Sequence, residues 1–245
     1  MGDPSWRRDD TYALRFISFP MLSCKNFSGK RGDRQIFSGV SFDVVDGELL
    51  VITGPNGAGK STLLQAIAGV GVGGDETDNG NIVVKGEIFD GQGSLRGLSA
   101  DERFRRGVML VFQEPPALPG VSFLTVVREM LFAKTGERVE IAKMYQDIRV
   151  VFQRIGVDES FIERSLFDGF SGGEKKRAEL ALLLLARPRI LLLDEIDAGL
   201  DANGRKIAQE IIGELLQEGT SVFCVTHNPE FLSGLPVSET FSFSV

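Results

Sequence analysis

Hydrophobic positions in this 245-residue chain fall into short blocks separated by glycine and proline. Residues 48–53 read Glu-Leu-Leu-Val-Ile-Thr, and 108–112, 190–193 and 221–226 are similarly apolar without strict alternation. Such blocks, bounded by turn formers, predict strands buried on both faces, the pattern of a parallel sheet. Segments 22–26 and 40–45 predict strands at the edge of the same domain, and 81–89 alternates enough to be another. Helical spacing predicts helices over 60–68, over 203–217 and through 123–186. Within the last stretch Ile141, Tyr145, Ile148, Phe152 and Ile155 step by four, three, four and three, which predicts one apolar helix face packed into the core. Ser99 and Glu102 have the spacing of a capping box. Residues 69–80 are glycine-rich and loop-like, and Pro115, Pro116 and Pro119 mark a change of subdomain. Strands and helices thus alternate around a helical excursion. The expected fold class is α/β, a parallel sheet with an inserted helical subdomain. The expected boundaries are a loose extension over 1–20, a core over 21–113 and 187–245, and a helical insert over about 114–186.

Composition narrows the function classes. The length suits one large domain or two small ones. A formal charge of −7 argues against non-specific binding to nucleic acid or acidic lipid. No run reaches the ~18 apolar residues of a membrane span; the greasiest, 181–186, is closed by Arg187-Pro188-Arg189. Arg7-Arg8 is followed at once by Asp9-Asp10, and Arg15 interrupts the nearby apolar run, so no export signal is read there. The cysteines, Cys24 and Cys224, lie in strand-like blocks and are expected to be buried and reduced, which suits a cytoplasmic protein.

The candidate chemistry begins where the 48–53 strand ends. Gly54-Pro55-Asn56-Gly57-Ala58-Gly59-Lys60-Ser61, followed by Thr62, has the G-x-x-x-x-G-K-[ST] spacing of a phosphate loop between a strand and a helix. The glycines let backbone N–H groups wrap the phosphates, the helix adds its positive end, Lys60 reaches the β- and γ-phosphates and Ser61 can hold Mg²⁺. Asp194 ends the 190–193 block, where a Mg²⁺-holding carboxylate belongs, and Glu195 can polarise an attacking water. Gln113 ends another strand and could touch Mg²⁺ or water. His227, the lone histidine, follows the 221–226 strand at the sheet end where ligands bind, and is read as a γ-phosphate contact. A second run of small residues, Ser171-Gly172-Gly173-Glu174, opens a helix and can press its N–H groups on a phosphate. One nucleotide rarely needs two cradles, so two copies of the chain facing each other across ATP are expected.

These motifs, in this order from about residue 21 to 230, resemble an ATP-binding-cassette (ABC) ATPase, which implies a P-loop NTPase core with a parallel sheet, an N-terminal antiparallel β subdomain and an inserted helical subdomain. The resemblance implies that 54–61 is Walker A, Gln113 the Q-loop, Ser171–Glu174 the signature, 190–194 Walker B with Glu195 as catalytic carboxylate, 198–201 the D-loop ending in Asp201, and His227 the switch histidine. It further implies an ATP-dependent head-to-tail homodimer. Three runs resemble SufC, the ATPase of the SUF iron–sulfur assembly system: Phe170-Ser171-Gly172-Gly173-Glu174-Lys175-Lys176-Arg177, Asp194-Glu195-Ile196-Asp197-Ala198-Gly199-Leu200-Asp201, and residues 112–122. By that resemblance 112–122 contacts SufB- and SufD-like scaffold proteins; the alternative is the ATP-binding subunit of an ABC transporter, where the same core would meet a membrane subunit. The chain departs from relatives in two respects. Arg31 stands where they stack an aromatic on adenine, and the chain runs from His227 only to Val245, so that one or two terminal elements are expected to be lacking.

Overall fold

The computed structural model describes residues 20–73 and 81–243. The N-terminal side is a hairpin of β1 (Leu22–Arg31) and β2 (Arg34–Val44), followed after β3 (Leu49–Thr53) and α1 (Lys60–Ala68) by β4 (Ile82–Asp90) and β5 (Gly93–Ser94). These form an antiparallel sheet in the order β2-β1-β4-β5. α2 (Ala100–Arg105) leads to β6 (Val108–Val111), and the chain then leaves the sheet for α3 (Phe123–Thr135), α4 (Ile141–Ile155), a short 3₁₀ turn and α5 (Gly172–Ala186). It returns through β7 (Ile190–Asp194), α6 (Ala202–Gln217), β8 (Ser221–Val225), α7 (Pro229–Leu232) and β9 (Val237–Ser242). The second sheet runs β6-β7-β8-β3-β9, and its neighbouring strands are parallel.

The period of two along the central strands distributes the core. Leu50, Ile52, Leu192 and Phe223 face α1 and the antiparallel sheet, whereas Leu49, Val51, Leu191, Leu193, Val222 and Cys224 face the helical side. Both faces are dry, which is why these strands read as unbroken apolar blocks. Cys24 and Cys224 are buried free thiols, both pushed well up by burial. α1 is fixed at its C-terminal end by Arg103, whose buried Nη1 donates to the Ala66 and Ile67 carbonyls at 2.7 and 2.9 Å. A cation suits the carbonyl end of a helix.

Three expectations change. Ile141 is 58% exposed, and Met144 takes its place beside Ile148, Phe152 and Ile155; Ile141 opens α4, so its side chain projects past the packed face. The strand runs are longer at the N-terminal side, because pairing extends β1 and β2 to their turn at Gly32. Beyond His227 the chain still supplies β9, which pairs with β3 on the free edge of the parallel sheet. Of the expected 1–20 extension, residues 1–19 lie outside the described residues. No helix is long and apolar enough to cross a membrane, among the described residues.

Candidate functional site

β3 delivers the chain to its C-terminal edge and the 54–59 loop turns it straight into α1. The turn requires Gly59: at φ 98° it adopts a left-handed conformation, and a Cβ there would stand 2.7 Å from the Ile36 carbonyl. Lys60 is 7% exposed and folds back over the loop, Nζ donating to the Gly54 and Pro55 carbonyls at 2.8 and 2.9 Å. The loop is therefore pre-shaped, with an ammonium held at its centre.

β7 carries Asp194 to the same edge. Ser61 Oγ donates to Asp194 Oδ1 at 3.0 Å, and burial pushes the Asp194 carboxyl up, opposed chiefly by that hydrogen bond. Glu195 follows in a left-handed turn, φ 53°, its N–H still bonded to the Val225 carbonyl at 2.9 Å. This non-glycine residue in a strained region is a mark of functional geometry. Its carboxylate accepts from Gln113 Nε2 at 2.8 Å and lies 3.7 Å from His227 Nε2. A buried hydrogen bond from Thr226 Oγ1 to Asp197 Oδ1, 2.8 Å, ties the end of β8 to the turn after β7 and so holds His227 near Glu195.

Gly57, Gly59, Lys60, Ser61, Gln113, Glu195 and His227 thus share one cleft of about 500 Å³. Asp194 meets it through Ser61. Arg31 is not among the residues lining this cleft; Arg34, its partner across the hairpin, and Ile36 are. β2 is the strand that borders the phosphate loop, with the Ile36 carbonyl against Gly59, and 34 and 36 share one of its faces; Arg31 lies one strand further away, on β1. Those two side chains were not singled out in the sequence, where nothing but their even spacing distinguishes them.

The Ser171 run is elsewhere. Ser171 caps α5, its Oγ accepting from Glu174 N at 3.3 Å while Glu174 Oε2 accepts from Ser171 N at 2.7 Å. The Ser171 N–H, and after it the Ser171 hydroxyl, hold the Glu174 carboxyl below its usual range. A Cβ on Gly172 would meet nothing within 4 Å, so that glycine leaves open space rather than relieving a clash. Gly172 lines a second cleft of about 530 Å³ with Ala198 and Gly199. The lining of the two clefts has Gln113 in common. Asp201 stands apart from both linings as the cap of α6, accepting from Gly204 N at 2.6 Å.

The family profile described as "ABC transporter" matches residues 37–198, about two thirds of the chain. The chain belongs to the ABC transporter family. At 34% identity over 221 residues it is similar to the probable ATP-dependent transporter ycf16 of Pyropia yezoensis, covering 88% of this chain and 84% of that one. It is 34% identical over 216 residues to the probable ABC transporter ATP-binding protein spyM18_0273 of Streptococcus pyogenes, covering 87% and 81%. Among solved structures it is similar in fold to the dimeric bacterial ABC transporter cassette MJ0796, with a TM-score of 0.74 at 22% identity and 91% and 94% of the two chains covered. The protein is an ABC ATPase that hydrolyses ATP and uses Mg²⁺. Its donor set fits that ion. A hydroxyl, a buried carboxylate and the Gln113 amide are hard oxygen donors at one strand edge. Mg²⁺ is commonly held by one or two carboxylates plus the substrate's phosphates.

Proposed function

We propose that this ABC ATPase works as an ATP-dependent head-to-tail homodimer that drives conformational change of a SufB/SufD-like scaffold in iron–sulfur cluster assembly. The observation that carries the dimer is the separation of the two cradles. Asn56, Gly57 and Gly59–Thr62 line one cleft and Gly172 lines another, and a second copy facing the first would bring both cradles to one nucleotide.

In this reading Gly54, Asn56, Gly57, Ala58 and Gly59 offer backbone N–H groups to the phosphates, and Pro55, which has no N–H, shapes the turn between them. Lys60 exchanges its two carbonyl partners for the β- and γ-phosphates. Ser61, Gln113 and Asp194 hold Mg²⁺, which when bound offsets charge building on the transferred phosphoryl group. Glu195 orients and polarises the attacking water, and His227 contacts the γ-phosphate. The second copy's face supplies N–H groups from the start of α5, with Glu174 completing the cap.

The SUF assignment rests on the 170–177, 194–201 and 112–122 runs. In the structure the last of these borders a small apolar groove of about 180 Å³, lined by Phe112, Pro115, Pro116, Leu118 and Leu182. Two of its neighbours, Leu118 and Val121, are 37% exposed. That surface suits a protein partner. The second reading, an ATP-binding subunit of an ABC transporter, is favoured by the names of the relatives, which are called probable transporters or their ATP-binding proteins. Purification of the native chain with its bound proteins decides between them. A soluble SufB-like protein is the expected partner; an integral membrane protein with no SufB-like protein would overturn the SUF assignment in favour of transport.

A further inference from the structure

Two consecutive residues of α5, one turn beyond Ser171, reach to opposite sides of the helix. Lys176 is buried, Nζ donating to the Phe112 carbonyl at 2.7 Å and pairing with Glu179 at 3.0 Å. Arg177 reaches the other way. Its Nη1 donates to the carbonyl of Ile155, the last residue of α4, at 2.8 Å, and its Nη2 lies 3.4 Å from both carboxylate oxygens of Asp201. Gly156 makes room for the guanidinium: it ends α4 at φ 70°, and a Cβ there would stand 3.0 Å from Nη1. Asp201 is in turn the cap of α6. One planar fork of donors therefore joins the end of α4, the start of α5 and the turn after β7.

The helical insert leaves the parallel sheet after β6 and rejoins it at β7. Side-chain links between insert and sheet therefore set how α5 is oriented. We propose that Arg177 is a positioning residue: through Asp201 it fixes the angle at which Ser171–Gly173 are presented to the nucleotide held by a second copy. The inference rests on the homodimer reading and adds the element that couples the two halves of each copy.

The geometry assigns this link to closure rather than folding. At 3.4 Å the Arg177–Asp201 contact is longer than the ~2.7–2.9 Å of a strong charge-assisted bond. The Asp201 side chain is 67% exposed in the single chain. The Arg177 side chain is only 19% exposed, but a stretched ion pair with one exposed partner contributes little to the stability of one protomer. Desolvation of the 198–201 turn against a second copy lowers the local dielectric and strengthens the pair.

The test is made in the Glu195→Gln chain, expected to bind ATP without turning it over. The readouts are the Mg-ATP-dependent monomer–dimer equilibrium, by analytical ultracentrifugation, and binding of a fluorescent ATP analogue to the monomer below its dimerisation range. Arg177→Ala and Asp201→Asn each raise the dimer dissociation constant at least tenfold, and the double variant adds no further loss. Arg177→Lys restores closure to within about threefold, and affinity of the monomer for the analogue stays within twofold throughout. Asn still caps a helix, so Asp201→Asn keeps α6 intact and isolates the charge. The proposal is overturned if Arg177→Ala dimerises like its parent. Losses that multiply in the double variant also overturn it, because Asp201 then acts without Arg177, and so does monomer nucleotide affinity that falls in step with closure. A parent that does not dimerise at all overturns the homodimer reading itself and this inference with it.

Discussion

Gln113 Nε2 donates a 2.8 Å hydrogen bond to Glu195 Oε2, joining the end of the β6 strand to the turn after β7 across 82 positions of sequence. Glu195 thus accepts from Gln113 on one oxygen and has His227 Nε2 3.7 Å from the other. On the proposed reading this carboxylate polarises the attacking water. This predicts that Glu195→Gln leaves ATP binding intact while hydrolysis falls by at least ~10²-fold, the contribution typical of a general base. Steady-state phosphate release beside equilibrium nucleotide binding checks it; unchanged turnover would remove Glu195 from the catalytic role.

Lys60→Ala acts on binding itself. The ammonium both closes the loop on the Gly54 and Pro55 carbonyls and supplies positive charge where the phosphates sit. ATP affinity is expected to fall at least tenfold, about 1.4 kcal/mol, with secondary structure unchanged. Titration of a fluorescent ATP analogue, with circular dichroism as control, measures both.

The two arginines of the β1–β2 hairpin give a sharp contrast. Arg34 lines the nucleotide cleft and Arg31 does not. A guanidinium can stack on a purine ring, so Arg34→Ala is expected to raise the KM for ATP several-fold while Arg31→Ala changes it less than twofold. The reverse order would return the base-contacting role to Arg31.

Glu179 sets a pH dependence. Burial pushes its carboxyl up to about 7, partly offset by Lys176. The folded chain therefore holds a proton there that the unfolded chain releases near pH 4.5. This favourable term is full below the unfolded value and is lost as pH rises through about 7. The shift corresponds to a change on the order of 3 kcal/mol. Denaturant unfolding between pH 5 and 8 is expected to show the wild-type chain losing stability more steeply than Glu179→Gln. Parallel slopes would show that Glu179 stays ionised throughout.

Much of the site was legible before the fold, because its chemistry is local. The 54–62 run, the Asp194-Glu195 pair and the Ser171–Glu174 run each need only neighbouring residues to define a turn, a cap or a strand end. The central strands were equally plain, since burial on both faces leaves an unbroken apolar block. β9 was not: Val237-Ser-Glu-Thr-Phe-Ser242 is mostly exposed, and only pairing with β3 makes it a strand. Nor was the loss of Ile141 from the α4 face, because period alone does not say where the packed surface ends.

By itself the sequence determined the fold class, the ATPase chemistry and the identity of nearly every group at the phosphate end of the cleft. Spacing along a strand, loop or helix is enough to specify those. The tertiary structure alone decided which hairpin arginine lines the cleft, that Gln113 rests on Glu195, that Arg177 reaches Asp201, and that the 54–62 loop and Gly172 line different clefts. Each of these is a distance between side chains carried by separate elements, and such distances exist only once the sheet order and the helical insert have been packed.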